Sequence, residues 1–521
     1  MAPTTVAAPN LFESFTPSAT VDVPSTWRKV KDKRDGESQT APIKLAENAC
    51  QTITRAHIEI QTDPEPPLQF RLLHNYHRGT MVDFLAKVES MVSSQLLQNI
   101  SSTAFDGWSA HWEEAVTSTT LLHTLFPPVR EETDMLVTDL SWNKNGSTVG
   151  VAYGRFDHDS WCNHKGAVCT WSLAGRGVGD IPAWTVETES CVMSIAFHPE
   201  NPSLIAGGGF NGQIFVAQTK DPKNDPIVAI SKMSDITHQE PVAKVEWVPA
   251  SKPGLYHIVS IGNDGKVLTW DLANDLAEPI FGSQLFMGAI PRHLRPSGTT
   301  RTETILGGTS IAFPSENPIT YIVATEAGYI AKCSRSITTQ LSADPSTPNA
   351  TFQLPPPSQR MANPMQFAYT PHTGPVNAIS CSPFHRNLFV SGGSDGLIRL
   401  YNVLQAKPLL TFSPSSLALY TSAFSPHRAT VFAATSADGL LYIYDLAHSP
   451  SLPHTTLQVT SKSTVAATAL AFSKGRNEYL ATGDAAGIVK VWRVASGLAS
   501  ESVGREWRCV EALGGLLEND G

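Results

Sequence analysis

The sequence predicts an all-β fold, a seven-bladed β-propeller, preceded by a disordered arm and a short helical segment. A turn of small residues ending in glycine recurs seven times, at intervals of 43 to 68 residues, and an apolar residue always follows two positions later. An aromatic residue stands five positions after the glycine in five of the seven repeats. Because a repeat of this length cannot bury its own apolar face, the repeats must close into one ring. The glycines are Gly166, Gly212, Gly265, Gly328, Gly396, Gly439 and Gly487.

Each repeat also has two apolar segments before its glycine turn. In the fifth repeat these segments are 379–381 and 388–390, and the turn is Ser394-Asp395-Gly396. Glycine accepts a positive φ, so such a turn predicts a hairpin. The order strand, turn, strand, glycine turn, strand is that of a WD repeat, and Trp270-Asp271 and Tyr444-Asp445 match or approximate its terminal dipeptide. We interpret the aspartates before three of the glycines as turn formers: Asp264, Asp395 and Asp438.

Composition bounds the function. The 521 residues include 38 Lys and Arg against 47 Asp and Glu, a net charge of −9, which argues against a nucleic-acid partner. The 7 cysteines are scattered and odd in number, which favours reduced thiols over a disulfide framework. We recognise neither a signal peptide nor an apolar run of about 20 residues, the length that spans a bilayer. We therefore expect a soluble intracellular protein without membrane insertion.

No residue constellation predicts catalysis or a cofactor. His158, Cys162, His164 and Cys169 lie close in sequence, but their spacing matches no common zinc pattern. Cys169 also lies within a predicted strand, where it and Val168 face opposite sides. The glycine runs open no helix, and no serine stands in a nucleophile elbow. We therefore predict no enzyme, no cofactor, no catalytic residue and no metal site.

The N-terminal region is read as three segments. Residues 1–40 are rich in Pro, Ser and Thr and predict a disordered arm. Residues 41–67 carry two Gln-Thr peptides, and an extended peptide of this kind suits addition to the edge of a partner's sheet. One Gln-Thr pair would be put down to chance, but two in one arm favour a binding motif. Their residues are Cys50, Gln51 and Thr52, and then Ile60, Gln61, Thr62 and Asp63.

Residues 68–125 are predicted to be helical. Between Thr80 and Ile100 apolar residues recur at steps of three and four, with Thr80 as the cap, and a weaker helix is expected from about Ala110 to Leu125. The first helix either packs on the propeller or is the ligand of a partner; the pattern leaves both open. Its apolar residues are Met81, Phe84, Leu85, Val88, Met91, Val92, Leu96 and Ile100.

The propeller is assigned to residues 126–515, and residues 516–521 to a tail. The stretch 342–371 is rich in Pro, Ser and Thr and is expected to be a long loop between the fourth and fifth blades. The strand that completes the last blade is left open: either the segment before Leu136 or the residues 507–510 could supply it.

The arrangement of an arm with Gln-Thr peptides, an amphipathic helix and seven repeats resembles the dynein intermediate chain family. The resemblance covers about residues 40 to 500 and is carried most closely by four segments: 166–171, 191–199, 208–215 and 241–247. It implies that the Gln-Thr peptides bind the dimeric light chain that recognises TQT-type motifs. It also implies that the helix binds a roadblock-type light chain, that unidentified propeller residues bind the dynein heavy chain, and that a second intermediate chain joins the complex.

Within that family the chain looks most like the intermediate chain of intraflagellar-transport dynein. It begins without the charged coiled coil of conventional cytoplasmic intermediate chains, and its Gln-Thr peptides are clustered. Departures are Cys50 before Gln51 and the missing closing aromatics at Ala217 and Cys333. This resemblance implies a role in retrograde transport in cilia, with intraflagellar-transport train proteins as further partners. The expected location is the cytoplasm, the cytoskeleton and the cilium, at its axoneme and base. The alternatives are a cytoplasmic or axonemal dynein intermediate chain and a WD-repeat adaptor of a ubiquitin ligase.

Overall fold

The structure, a computed structural model, comprises two compact units, residues 1–109 and 110–521, each described by itself. In the first unit it describes one helix, α1 (Arg78–Ser101). This confirms the predicted helix, but Thr80 lies inside its first turn and is not its cap. The residues described are 78–101, 118–127, 135–158, 162, 164–173, 181–219, 225–250, 252–295, 303–341, 361–460, 464–499 and 508–511.

The second unit contains seven antiparallel sheets, which are the blades of the predicted propeller. Blade 1 contains β2 (Leu136–Trp142), β3 (Thr148–Gly154), β4 (Gly166–Ser172) and β5 (Trp184–Thr188). Blade 2 contains β6 (Val192–Phe197), β7 (Leu204–Gly209), β8 (Ile214–Gln218) and β9 (Ile227–Ile230). Blade 3 contains β10 (Val242–Pro249), β11 (Tyr256–Gly262), β12 (Lys266–Trp270) and β13 (Phe281–Gln284). Blade 4 contains β14 (Gly308–Ala312), β15 (Thr320–Thr325), β16 (Ile330–Ser334) and β18 (Met365–Ala368). Blade 5 contains β19 (Val376–Cys381), β20 (Leu388–Gly393), β21 (Ile398–Asn402) and β22 (Pro408–Phe412). Blade 6 contains β23 (Leu419–Phe424), β24 (Val431–Ser436), β25 (Leu440–Asp445) and β26 (Thr455–Gln458). Blade 7 contains β27 (Ala467–Phe472), β28 (Tyr479–Asp484), β29 (Val489–Arg493) and β1 (Thr120–Leu125).

The outer strand of blade 7 comes from the N-terminal side. Strand β1 pairs antiparallel with β29, from Thr120 opposite Arg493 to Leu125 opposite Val489. The helix expected up to Leu125 is therefore wrong over 120–125, and the propeller begins before the assigned residue 126. A short apolar segment is ambiguous by pattern alone, and here pairing with β29 and burial of Leu125 decide for a strand. Residues 110–117 lie outside the described part of the chain.

The C-terminal segment does not close the ring. Residues 508–511 form a helical turn, so over the described residues 508–510 the strand considered for this segment is not formed. Val510 packs in a small apolar cluster with Leu388 and Ala429, on blades 5 and 6. A four-residue helix, α2 (Ser496–Ala499), follows β29.

The segment between β16 and β18 contributes a short strand to blade 3. After β16 the chain adds β17 (Thr339–Gln340) to the outer edge of β13 and then returns as β18. The stretch 342–371 therefore lies within blade 4 rather than between blades 4 and 5, and residues 365–368 are a strand. Residues 342–360 lie outside the described part of the chain. One short 3-10 turn precedes β13 and two follow it in the described part of the chain: Leu272–Asn274, Met287–Ala289 and Arg292–Leu294.

Six of the seven repeat glycines have a positive φ, as the turn prediction requires; Gly396, for example, has φ 75°. Gly166 is the exception, because it is the first residue of β4 and follows a longer loop. It must be glycine for another reason: a Cβ there would lie 2.7 Å from Val192 N of the next blade. The residues five positions after the glycines are all buried, the non-aromatic Ala217 and Cys333 included.

Buried polar side chains connect the turns of blades 3 and 5 to their own strands. In blade 5, His372 Nδ1 lies 2.9 Å from Asp395 Oδ1 and its Nε2 lies 2.8 Å from Ser391 Oγ. Leu397 N also donates to Asp395 Oδ1, which confirms this aspartate as a turn former. In blade 3, His238, Asp264 and Ser260 repeat the arrangement, and Trp270 Nε1 donates to the serine.

A β-bulge recurs at the start of the inner strand of every blade. The register between the first and second strands shifts by one residue there, and the extra residue can reach the neighbouring blade. Thr138 Oγ1 donates to Val192 O at 2.7 Å, and Thr468 Oγ1 donates to Val137 O at 2.6 Å, which joins blade 7 to blade 1. The extra residues are Thr138, Met193, Ala243, Thr309, Asn377, Tyr420 and Thr468.

Candidate partner-binding sites

The apolar side chains of α1 are exposed. Val88 is half-buried, and the side chain of Ile100 lies outside the described part of the chain. Within that part, no helix has both the length and the apolar character needed to cross a membrane. Eight apolar residues are between 41% and 66% exposed: Met81, Val82, Phe84, Leu85, Met91, Val92, Leu96 and Leu97.

Most of these residues form one face. At 3.6 residues a turn, the positions from Met81 to Leu96 that were predicted as a stripe fall within about 140° of the helix circumference. Val82 and Leu97 project from other sides, and their exposures are 56% and 66%. The stripe pattern missed them because they are out of phase with it. The helix thus offers apolar surface on more than one side.

Charge contributes little to this surface. The helix carries Arg78, Lys87, Asp83 and Glu89, so its two positive and two negative charges cancel. Burying such a neutral apolar face in a partner's groove would be driven mainly by removal of apolar area from water. The Gln-Thr peptides, with Cys50 to Thr52 and Ile60 to Asp63, lie outside the described residues.

The propeller has two loop faces, and we call the one with the glycine turns the turn face. The turns pack against the loops that enter the next blade: a Cβ on Gly328 would lie 2.6 Å from His372 O. Exposed apolar residues occur on both faces. On the turn face they are Phe156, Met233, Ile305 and Leu417, and on the other face Ile181, Ile319, Leu404 and Leu452.

Charged residues of the inner strands are tied to one another. Lys244 Nζ donates to Asp139 Oδ2 at 2.7 Å, and Ser194 Oγ donates to the same oxygen at 2.8 Å. Burial alone would lower the pKa of Lys244, but Asp139 and Glu246 outweigh it and raise that pKa. Burial raises the pKa of Glu246. These contacts join the inner strands of blades 1, 2 and 3.

The residues considered as zinc ligands are partly brought together. His158 Nε2 lies 3.3 Å from His164 Nδ1, and Cys162 is close by. Cys169 is not in this group, since it points into the core between blades 1 and 7 while Val168 faces blade 2. Cys191, in the next blade, takes its place. Burial, followed by the nearby His164, lowers the pKa of His158.

A family profile described as "WD domain, G-beta repeat" matches residues 364–402. The matched segment comprises β18, β19, β20 and β21, that is, an outer strand and the first three strands of the next blade. Together with the seven sheets and the His-Asp-Ser contacts at the turns, this match defines the class of the molecule as a WD-repeat β-propeller.

Curated relatives narrow the class to one family. The chain is 37% identical over 487 residues to "Cytoplasmic dynein 2 intermediate chain 2" of Mus musculus, covering 92% of this chain and 88% of the relative. The human protein of the same name is 36% identical, covering 91% and 87%. "Cytoplasmic dynein 1 intermediate chain" of Drosophila melanogaster is 24% identical, covering 73% and 51%. The chain belongs to the dynein intermediate chain family, in the intraflagellar-transport type represented by dynein 2.

Proposed function

We propose that this chain is a non-catalytic scaffold of an intraflagellar-transport dynein, binding light chains with residues 41–101 and the motor heavy chain with its propeller. Its similarity to dynein 2 intermediate chains extends over nine-tenths of the chain, so it includes both regions. Retrograde transport in cilia is the proposed output, with a location on the ciliary cytoskeleton and in the cytoplasm. Similarity of this extent disfavours a ubiquitin-ligase adaptor.

The exposed apolar surface of α1 is the observation that carries the proposal. Phe84, Leu85 and Met91 are 62%, 53% and 66% exposed. Burying a large apolar side chain fully contributes roughly 1.5–3 kcal/mol, so a groove that covers several of them binds well. A roadblock-type light chain is the proposed occupant, because the family resemblance implies such a partner for the helix beyond the Gln-Thr peptides.

The Gln-Thr peptides are proposed to bind the TQT-recognising dimeric light chain. Gln51 and Gln61 are ten positions apart, and ten residues of extended chain span at most about 33–36 Å. That length accommodates two light-chain dimers in tandem. Since such a light chain is a dimer, it would also clamp the arm of a second intermediate chain, and the second contact would gain from high effective concentration.

A double substitution, Leu85→Asp and Val88→Asp, tests the helix assignment. It places two charges in the apolar face, so recovery of the roadblock-type light chain in a pull-down from the full chain should be lost. The matched control is Ser90→Asp with Ser94→Asp, which adds the same charge on the opposite side of α1 and should leave recovery unchanged.

Two results would contradict the assignment. Full recovery with the Leu85 and Val88 changes would show that α1 is not the docking helix. Equal loss with the Ser90 and Ser94 changes would show that added charge or a weakened helix, rather than the apolar face, is responsible. Thermal unfolding of every variant, which should match wild type, checks that the propeller is intact.

A further inference from the structure

Four side chains converge where blade 1 meets blade 2. His158, Cys162 and His164 belong to the loop between β3 and β4, and Cys191 immediately precedes the inner strand β6. One ligand atom from each residue lies within 4.8 Å of all the others. Both cysteines are buried thiols, and both histidines are half-buried. This combination of two thiols and two imidazoles is one of the common donor sets of structural zinc.

Two of the six separations match those of a zinc tetrahedron, and none of the six exceeds 4.8 Å. With Zn–N of about 2.0–2.1 Å and Zn–S of about 2.3 Å, tetrahedral angles place two nitrogens about 3.3 Å apart and nitrogen and sulfur about 3.6 Å apart. His158 Nε2 lies 3.3 Å from His164 Nδ1 and 3.7 Å from Cys191 Sγ. Movements of about 1 Å or less would bring all four atoms to bonding distance.

Hydrogen bonds and ring packing hold the side chains of this cluster in place. Cys191 N donates to Cys162 Sγ at 3.4 Å, and Cys162 N donates to Asn211 Oδ1 at 3.3 Å. The His158 ring packs on Phe210, with centroids 4.1 Å apart, which fixes its orientation. Among the residues that the structure describes, His158 Nδ1 is buried and has no hydrogen-bond partner. Two imidazole nitrogens aimed at one another and at a sulfur are better accounted for by a shared cation than by hydrogen bonds alone.

We infer that His158, Cys162, His164 and Cys191 bind one zinc ion that fastens the β3–β4 loop of blade 1 to the inner strand of blade 2. On binding, each thiol releases one proton to solvent and each histidine donates as the neutral imidazole, so the complete site is electrically neutral. Thiolate and imidazole donors in a tetrahedron favour zinc over the hard cations calcium and magnesium.

The location gives the ion a structural role. Other blades connect their second and third strands by a tight glycine turn, such as 263–265 in blade 3 or 394–397 in blade 5, whereas blade 1 uses residues 155–165. A longer loop costs more entropy to order. A metal that holds three residues of the loop would offset that cost and keep the turn face of blades 1 and 2 rigid.

Metal analysis of the full chain tests the inference. Protein purified without added metal should contain about one zinc per chain, and Cys162→Ala or Cys191→Ala should reduce it at least tenfold. The matched control is Cys169→Ala, a nearby buried thiol outside the cluster, which should retain the zinc. His164→Gln, at a less buried position, provides a second ligand variant if a cysteine variant fails to fold.

A second readout is independent of zinc carried through purification. Stripped protein titrated with cobalt(II) should acquire the absorption of tetrahedral thiolate-bound cobalt, and the melting temperature should rise on adding zinc. Neither change should occur in Cys191→Ala or His164→Gln. The inference is overturned if the folded wild type binds no zinc and no cobalt, if the ligand variants bind as well as it does, or if Cys162 and Cys191 prove to be joined as a disulfide.

Discussion

At the scale of single residues, the buried His372 is expected to make the stability of the blade 5 turn depend on pH. The side chain of His372 has no exposed surface, and it faces Asp395 on one side and Ser391 on the other, with Arg399 near the aspartate. Burial lowers the pKa of His372 and outweighs its pairing with Asp395. Burial alone would raise the pKa of Asp395, but the hydrogen bond from His372 outweighs it and lowers that pKa.

Both shifts act on stability in the same direction. The folded chain holds His372 neutral and Asp395 charged, so at either site the unfolded chain binds protons more readily. The contribution of His372 is complete above the ordinary histidine pKa of 6.5 and declines as the pH falls below it. Below 3.8, the ordinary aspartate value, the contribution of Asp395 declines as well.

His372→Ala should therefore change both the level and the pH dependence of stability. Loss of its buried hydrogen bonds should lower the free energy of unfolding by about 1–3 kcal/mol at pH 7.5. The difference from wild type should shrink between pH 6.5 and pH 5, because the variant has no such histidine to protonate. Urea unfolding across this range measures both. His293→Ala, at an exposed position, should keep the wild-type slope, and parallel curves for His372→Ala and wild type would refute the explanation.

At the scale of elements, β1 is the strand that completes the ring. It pairs with β29 along its length, Thr119 Oγ1 accepts from Ala495 N, and Leu125 is only 2% exposed. The N-terminal side of the propeller thus covers an edge of blade 7 that would otherwise present unpaired backbone groups.

Removal of β1 should destabilise the propeller out of proportion to its length. A fragment of residues 126–521 loses the burial of Leu125, roughly 1.5–3 kcal/mol, and all the hydrogen bonds to β29. Its melting temperature should fall well below that of residues 110–521, which keep β1. The comparison is made by thermal unfolding of the two fragments, with the full chain as reference. Equal melting temperatures would mean that β1 contributes nothing to closure.

At the scale of the whole molecule, the two units are proposed to bind different partners. The propeller is a preformed surface, which loses little entropy on binding a large partner. The arm is predicted from its sequence to be unfolded alone and would lose conformational entropy with any partner. A single stable surface for the motor and a series of short peptides for light chains is consistent with that difference.

Residues 110–521 alone should therefore co-purify with the dynein heavy chain, and residues 1–109 should not. The cut follows the boundary between the compact units, so β1 stays with its blade. Co-immunoprecipitation of each fragment from ciliated cells, with immunoblotting for the heavy chain, measures the division. Heavy chain recovered with residues 1–109 only would reverse the assignment. A fragment of residues 126–521 is unsuitable here because it lacks β1.

Patterns within a few residues were sufficient to predict the repeating parts of this protein. A glycine with positive φ, an apolar residue two positions later and a buried residue at the fifth position are requirements of one hairpin, so they can be read locally. The same holds for the three- and four-residue steps of α1. These signals predicted the seven blades and the helix. Together with the Gln-Thr peptides they indicated the family, and the resemblance to that family implied which light chains the arm and the helix bind.

Contacts between distant segments were decided only by the closed ring. Thr120–Leu125 is a strand because β29 offers an unpaired edge, and no property of the six residues alone requires it. Cys191 lies beside His158 and His164 because blades 1 and 2 pack side by side. Cys169 is nearer to them in sequence, but side chains alternate along β4 and its thiol faces the core between blades 1 and 7. Strand pairing and side-chain convergence depend on which surfaces meet in three dimensions. Local periodicity does not specify contacts between segments that are distant in sequence.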